Sequence, residues 1–566
     1  MRSMRMPALV GACVVSALGM ATAANAEQGQ SSEYVVVYKT GVSRQDARAA
    51  IAHAGGRVVS ENTDIGVATV RSDDASFAAN AAGESALEGA AANKPIGHAP
   101  AARIRAKGDD VERSGQWRGQ VAARGKGGKP GPVTLDPLAD RQWDMRQIGA
   151  TPEGSYGKQQ GSHDVRVGII DTGVDASHPD IAPNFDSGLS RNFTVDDPTI
   201  DGPCADEPDK SCNDPATVDE AGHGTHVAGT IGAPLNGIGT SGVAPKVDLV
   251  NLRAGQDSGF FFLGPSLDAL TYAGDHGIDV VNMSYYIDPW LFNCRSNPAD
   301  SPAEQRDQTL IIEATQRAVD YARQHGVTLI AATGNEDTDL GHPDVDPTSP
   351  DYPPDTARTR TVDNSCLSMP TEATGVIGVN STGNAESAPS HMTRKAYYSN
   401  YGLEQSDVSA PGGDVRIKDD GARHPEDAVL APYPENVARE EGLINPDGTA
   451  VPPLIRDCQG GRCGYYNYLQ GTSMASPHAV GVAALAIAQY GHRDPRNGGL
   501  TMNPDQVEKL LLRTATDTPC PAQNPFVYPF LPDNFTAFCE GTPQRNGFFG
   551  EGIVNAARIV GARGRD

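Results

Sequence analysis

From about residue 135 onward, short apolar runs alternate with longer stretches of helical spacing. The runs cover 165–171, 247–252, 278–284, 327–332 and 376–379. The helical stretches cover 223–232, 266–276, 303–325, 473–489 and 504–514. A strand apolar on both faces can turn neither face to water. This pattern therefore predicts an α/β fold, a parallel sheet with helices on both faces. In that architecture reactive groups gather at the carboxyl ends of strands and at the helix starts beside them. The chain shows no internal repeat.

The first 133 residues read differently. Arg2 and Arg5 precede an apolar stretch over 7–21, and Ala24-Asn25-Ala26 supplies small residues at a cleavage position. Residues 1–26 are thus expected to be a signal peptide, with the exported chain starting near Glu27. A lipid-attachment reading of Cys13 fails on the short apolar run before it. No later run approaches the roughly 18 residues of a membrane span, so a secreted, extracellular protein with no membrane partner is expected. Residues 27–96 hold a small α+β unit, with strands over 33–39, 57–60 and 65–70 and a helix over 43–54 ended by Gly55-Gly56. Residues 97–133 shift to Ala, Gly and Arg, with eight basic residues against three acidic up to Pro132, and read as a flexible, exposed, protease-sensitive linker. The main domain is expected over 134–566.

Charge follows the same division. The formal net charge is −25, with 16 basic against 12 acidic residues up to 133 and 30 against 59 beyond it. So acidic a body argues against a nucleic-acid partner. Nine cysteines minus Cys13 leave eight, an even number suited to an oxidising compartment. Proximity pairs Cys204 with Cys212, Cys458 with Cys463 and Cys520 with Cys539, leaving Cys294 for Cys366. About 105 connectivities are open in principle. The spacings match no zinc finger or ribbon.

Three strings carry chemistry. Val167-Gly168-Ile169-Ile170-Asp171-Thr172-Gly173 puts a carboxylate at the end of a buried strand. Gly222-His223-Gly224-Thr225-His226 opens a glycine-rich helix with an imidazole, and His226 reads as structural. Gly471-Thr472-Ser473-Met474-Ala475-Ser476-Pro477 puts a hydroxyl at the mouth of a helix, where N–H groups and the helix dipole converge. Taken singly, Asp171 could be a cap, His223 a metal ligand or core residue, and Asn335 a turn residue.

Together, in the order Asp, His, Ser, these strings and Ala332-Thr333-Gly334-Asn335 resemble the subtilisin-like serine proteases over roughly residues 136–555. The resemblance implies a secreted serine endopeptidase with Ser473 as nucleophile, His223 as base, Asp171 as its orienting carboxylate and Asn335 as donor to the oxyanion. It implies no cofactor for catalysis and a monomer acting on peptides or proteins. Residues 31–96 resemble, more weakly, the family's inhibitory propeptide, a partner within the same chain, with the mature start falling between about 124 and 136.

The strand ending at Ser284, with Thr333 and Gly334, would line the substrate pocket by the same resemblance. Here Tyr285-Tyr286 replaces the family's usual Leu-Gly, which implies an unusual side-chain preference. Residues 365–370 would floor that pocket, pinned by Cys366. The insertions 196–219, 337–364 and 413–464 read as surface loops that also lengthen the groove. Asp180 matches a carboxylate of the family's strong calcium site or, read alone, caps a turn. The loop at 235–241, with Asn236, would add oxygens but is one residue short.

Rival readings lack their residues. A serine-carboxyl peptidase needs Glu at 223 and Asp at 335. An esterase needs a second glycine after Ser473. A catalytically inactive binding protein on this fold is expected to have lost one of the three residues, and all three are present.

Overall fold

The computed structural model describes residues 32–93, 109–112, 133–206, 210–352, 356–532 and 535–562. The signal-like segment and most of the expected linker lie outside these.

The N-terminal unit runs β1 Ser32–Tyr38, α1 Arg44–His53, β2 Arg57–Asn62, β3 Val67–Ser72, α2 Phe77–Ala82 and β4 Leu87–Ala92. Its strands form an antiparallel sheet in the order β2-β3-β1-β4. The period of two in β1 explains how it packs. Tyr34, Val36 and Tyr38 join Ile51 and Phe77 in the unit's own core. Val35 and Val37 face the other way and pack with Leu267, Leu310 and Ile311 of the main domain. Sequence reading missed α2 and β4, whose Ala-rich stretches carry weak periodicity.

Beyond it come the single turn α3 Asp109–Glu112, then β5 Arg166–Ile170, β6 Arg191–Asn192, α4 His223–Gly232, β7 Asp248–Arg253, α5 Leu263–Asp275 and β8 Val280–Met283. These are followed by α6 Pro302–Gln324, β9 Thr328–Ala332, β10 Ile377–Thr382 and β11 Val408–Pro411. The seven strands form one parallel sheet in the order β11-β10-β9-β8-β5-β7-β6. Helices α5 and α6 cover one face through Leu267, Leu270, Ile311 and Ala314. Helix α4 and a later helix cover the other through Val227, Ile231, Ala479 and Val482. Helix α6 begins at Ser301, whose hydroxyl accepts from the Glu304 N–H while Glu304 reaches back, a reciprocal cap.

The insertion 413–464 is not a plain surface loop. It contributes β12 Val429–Tyr433, α7 Glu435–Glu440, β13 Ile455–Gln459 and the start of β14 Arg462–Leu469. These three strands form an antiparallel sheet in the order β12-β14-β13. Its Val, Leu and Tyr residues are buried, with Pro432 packed where a side chain on Gly229 would stand. Its high Pro, Asp and Gly content masked this pattern. Helix α8 Thr472–Tyr490 follows directly, buried from Thr472 to Ile487. Helix α9 Pro504–Thr514 completes the elements used below. The disulfides are Cys204–Cys212, Cys294–Cys366, Cys458–Cys463 and Cys520–Cys539, as proximity suggested.

Candidate active site

Strand register brings the site together. Ile170 and Ala331 both lie opposite Met283, so Asp171, Ser284 and the turn at 333–335 leave the sheet side by side. Helix α4 reaches this edge because Gly224 has no side chain. A Cβ there would lie 2.1 Å from the Gly173 carbonyl oxygen. Gly222 turns into the helix at φ 88°, a conformation few other residues adopt. Asp219, overlooked in the sequence, accepts from the N–H groups of Gly222 and Thr225 at 2.8 and 2.9 Å and so secures the helix start.

His223 Nδ1 is 2.7 Å from Asp171 Oδ1, and the Asp171 side chain is wholly buried. The Thr172 N–H also donates to that oxygen, at 2.8 Å. His226 is buried three residues on, its Nε2–H donating to the Val429 and Asn467 carbonyls at 3.1 and 3.2 Å. Burial pushes its pKa down to about 3, so it is a neutral tie between α4 and the insertion sheet.

At the mouth of α8, the Ser473 hydroxyl donates to Glu112 Oε1 at 2.6 Å. The Asn335 amide donates to the same oxygen at 2.6 Å. Glu112 Oε2 lies 3.1 Å from His223 Nε2. The Glu112 carboxylate therefore bridges three of the four residues that the sequence singled out. Residues 97–133 were expected to be exposed. Yet Val111 is buried against Tyr397, Tyr398 and Phe548, and Glu112 is held in the cleft. The Ala-rich, basic composition around them gave no sign of this.

Burial alone would raise the Glu112 carboxyl. The hydrogen bond and charge of His223, with Ser473 and Asn335, outweigh it and hold the carboxyl below its usual range. Burial likewise opposes charge on His223, but Asp171 and Glu112 hold its pKa well above the ordinary imidazole value.

The cleft around these groups has a volume of about 470 Å³. Ser284, Tyr285, Tyr286, Thr333 and Gly334 all line it. Ser284 is mainly an anchor, its hydroxyl donating to the Ser473 carbonyl at 3.1 Å and lying 2.9 Å from Ser476 Oγ. Tyr285 stacks on Phe261 with ring centroids 4.2 Å apart. Tyr286 donates to Asp351 Oδ2 at 2.6 Å. Ser368, from the expected pocket floor, is also in the lining. The 413–464 insertion extends the wall with Tyr433, Val437, Glu440 and Glu441. Glu220, Asp257, Asp288, Glu336 and Asp351 also line the cleft, and the lining holds no Lys or Arg among the described residues. Burial pushes Glu336 up to about 7 and raises Asp351 as well.

Away from the cleft, Asp180 accepts from the Thr240 N–H at 3.0 Å, and its Oδ1 is buried with no hydrogen-bond partner. Asn236 donates from Nδ2 to the Pro179 carbonyl at 3.1 Å. Asp136 accepts from the N–H groups of Asn236 and Gly237 at 3.2 and 2.6 Å. Burial pushes Asp180 up to about 8 and Asp136 up to about 6.

Comparison with known proteins bears on the family and the fold. The model of the Subtilase family matches residues 162–532. Subtilisin DY of Bacillus licheniformis is 27% identical over 357 residues, covering 62% of this chain and 84% of its own. The epidermin leader peptide-processing serine protease of Staphylococcus epidermidis is 28% identical over 358 residues, covering 63% and 67%. The crystal structure of the Staphylococcus aureus epidermin leader peptide-processing protease shares the fold, with TM-score 0.59 at 20% identity over 95% of this chain and 99% of that one. Family model, relatives and architecture coincide, and the chain belongs to the subtilase family of serine endopeptidases.

Proposed function

We propose that this protein is a secreted peptidase, made as a precursor, that cleaves peptide bonds through Ser473, His223 and Asp171 with an acyl-enzyme intermediate. The observation that carries the reading is the chain of contacts from Asp171 through His223 to the Glu112 carboxylate and on to Ser473 and Asn335. Once that carboxylate leaves, a substrate carbonyl takes its place. Ser473 Oγ attacks the carbonyl carbon, and His223 Nε2 takes the hydroxyl proton as the bond forms. Asp171 keeps Nδ1 protonated and stabilises the imidazolium. The Asn335 amide and the Ser473 N–H donate to the oxygen that becomes negative. His223 returns the proton to the departing amine, and water then resolves the ester by the same steps.

The signal-like N-terminus and the four disulfides support secretion. Among the described residues no helix is long and apolar enough to cross a membrane. The docking of residues 32–93 supports a propeptide role. Asn93 Oδ1 accepts from the Gly264 N–H at the start of α5, and Arg317 donates to the Tyr38 carbonyl, both at 2.8 Å. The acidic cleft favours substrates with Lys or Arg side chains, whose charge would stabilise Glu336 and Asp351 as carboxylates. A structural calcium fits the region of Asp180, Asp136 and Asn236, since Asp180 Oδ1 lacks a partner and the other donors are oxygens. There it would supply charge neutralisation only.

Replacing Ser473 by Ala tests the reading. The variant is expected to fold, to remain unprocessed, and to lose at least about 10⁴-fold in peptide hydrolysis. Undiminished hydrolysis by the purified variant would refute it.

A further inference from the structure

We propose that the Glu112 side chain is the group that keeps the precursor latent, acting as a dead-end occupant of the reaction centre before any bond in the linker is cut. This rests on the serine-peptidase reading above. A scissile carbonyl must offer an electrophilic carbon to Ser473 and its oxygen to Asn335. Glu112 offers a carboxylate instead. One oxygen takes the Asn335 amide and the Ser473 hydroxyl, both at 2.6 Å, and the other lies 3.1 Å from His223 Nε2. The group already bears the charge that the oxyanion donors favour. It has no leaving group, and its carbon is poorly electrophilic, so no acyl-enzyme forms from it.

The occupation also disarms the base. With its hydroxyl donating to Glu112, Ser473 does not donate to His223. The adjacent carboxylate favours the imidazolium, which has no lone pair with which to accept the serine proton. The chain is shaped for this contact at two further points. Val111 is buried among Tyr397, Tyr398 and Phe548, which anchors the turn beside the cleft. Gly471 leaves the space that the carboxylate fills, since a Cβ there would lie 2.5 Å from Glu112 Oε1 and 3.0 Å from its Cδ. Because the side chain of a residue within the chain, and not a chain end, makes the contact, the block precedes processing. It is distinct from a new chain end held in the groove after cleavage.

The test is the rate at which a fluorophosphonate probe labels Ser473 in freshly purified full-length precursor, read on the intact band by gel. Glu112→Ala is expected to be labelled at least about tenfold faster than the unaltered precursor, with a thermal midpoint lower by no more than a few degrees, so that the variant is folded at the assay temperature. Glu112→Gln, which keeps shape but loses charge, is expected to fall between them and serves if the alanine variant does not fold. Equal labelling of unaltered precursor and a folded variant would overturn the proposal. Labelling of the processed unaltered enzyme is the separate control. Its absence would defeat the assignment of Ser473 as nucleophile and not the assignment of Glu112 alone.

Discussion

Thr472 holds the side chain of Asn335. Its N–H and its hydroxyl both donate to Asn335 Oδ1, at 2.9 and 3.0 Å, and its hydroxyl oxygen accepts from the Gly334 N–H at 3.1 Å. With Oδ1 engaged, the amide can present only its N–H₂ to the cleft. Asn335→Ala is expected to lower kcat by about 100- to 1,000-fold with little change in KM, as for loss of one oxyanion donor. Thr472→Ala removes one of the two bonds to Oδ1 and is expected to lower kcat by about tenfold, or roughly 1.4 kcal/mol. Steady-state kinetics on the processed enzyme checks both, and an effect confined to KM would point to substrate binding instead.

The Glu112–His223 contact has a pH window. The Glu112 carboxyl is held below its ordinary value, so its contribution is present above about pH 4.3 and is lost as pH falls through the lowered value. The His223 imidazole is held above its ordinary value, so its contribution is complete below about pH 6.5 and is lost as pH rises through the raised value. Asp171 adds to the His223 shift, and Glu336 stands near Glu112 as a like charge. Comparing Ser473→Ala with the double variant Ser473→Ala/Glu112→Ala isolates the share due to Glu112. The difference in thermal midpoint is expected to be a few degrees between about pH 4.5 and 6.5, shrinking toward pH 3 and pH 9. A difference constant across that range would contradict the ion pair.

Carboxylates around the cleft predict a preference for basic peptides. Profiling against a peptide library is expected to enrich Arg and Lys next to the cut bond. Asp351→Asn, which retains an acceptor for the Tyr286 hydroxyl, is expected to lower kcat/KM for basic peptides by about tenfold while leaving neutral ones within about twofold. Equal losses on both classes would indicate damage to the site and not altered selectivity.

Calcium is expected to stabilise the processed enzyme through Asp180 and its neighbours. Chelation should lower the thermal midpoint by several degrees, with recovery on adding calcium but not magnesium, whose smaller shell suits such a loop poorly. Asp180→Asn should abolish the calcium response. An unchanged midpoint under chelation would argue that the N–H groups of the loop suffice to hold Asp136 and Asp180.

Local pattern was enough to show the parallel sheet, because strands buried on both faces are predominantly apolar along their whole length. Asp171, His223, Ser473 and Asn335 were marked by the resemblance of their strings to a known family, since each alone, at a strand end or a helix start, also had a structural reading. Three of the four cysteine pairs were legible by proximity, and Cys294–Cys366, 72 residues apart, as the pair left over. What only the folded molecule decided involves contacts between distant segments. The buried strand β12 within 413–464 draws its burial from α4 and β14, and not from the Pro- and Gly-rich sequence around it. The role of Thr472 depends on a turn 137 residues away. Glu112, one of three acids in a basic tract, is 361 residues from Ser473. It gains its place from charge, a missing Cβ at Gly471 and a pocket for Val111, and none of these leaves a periodic trace along the chain.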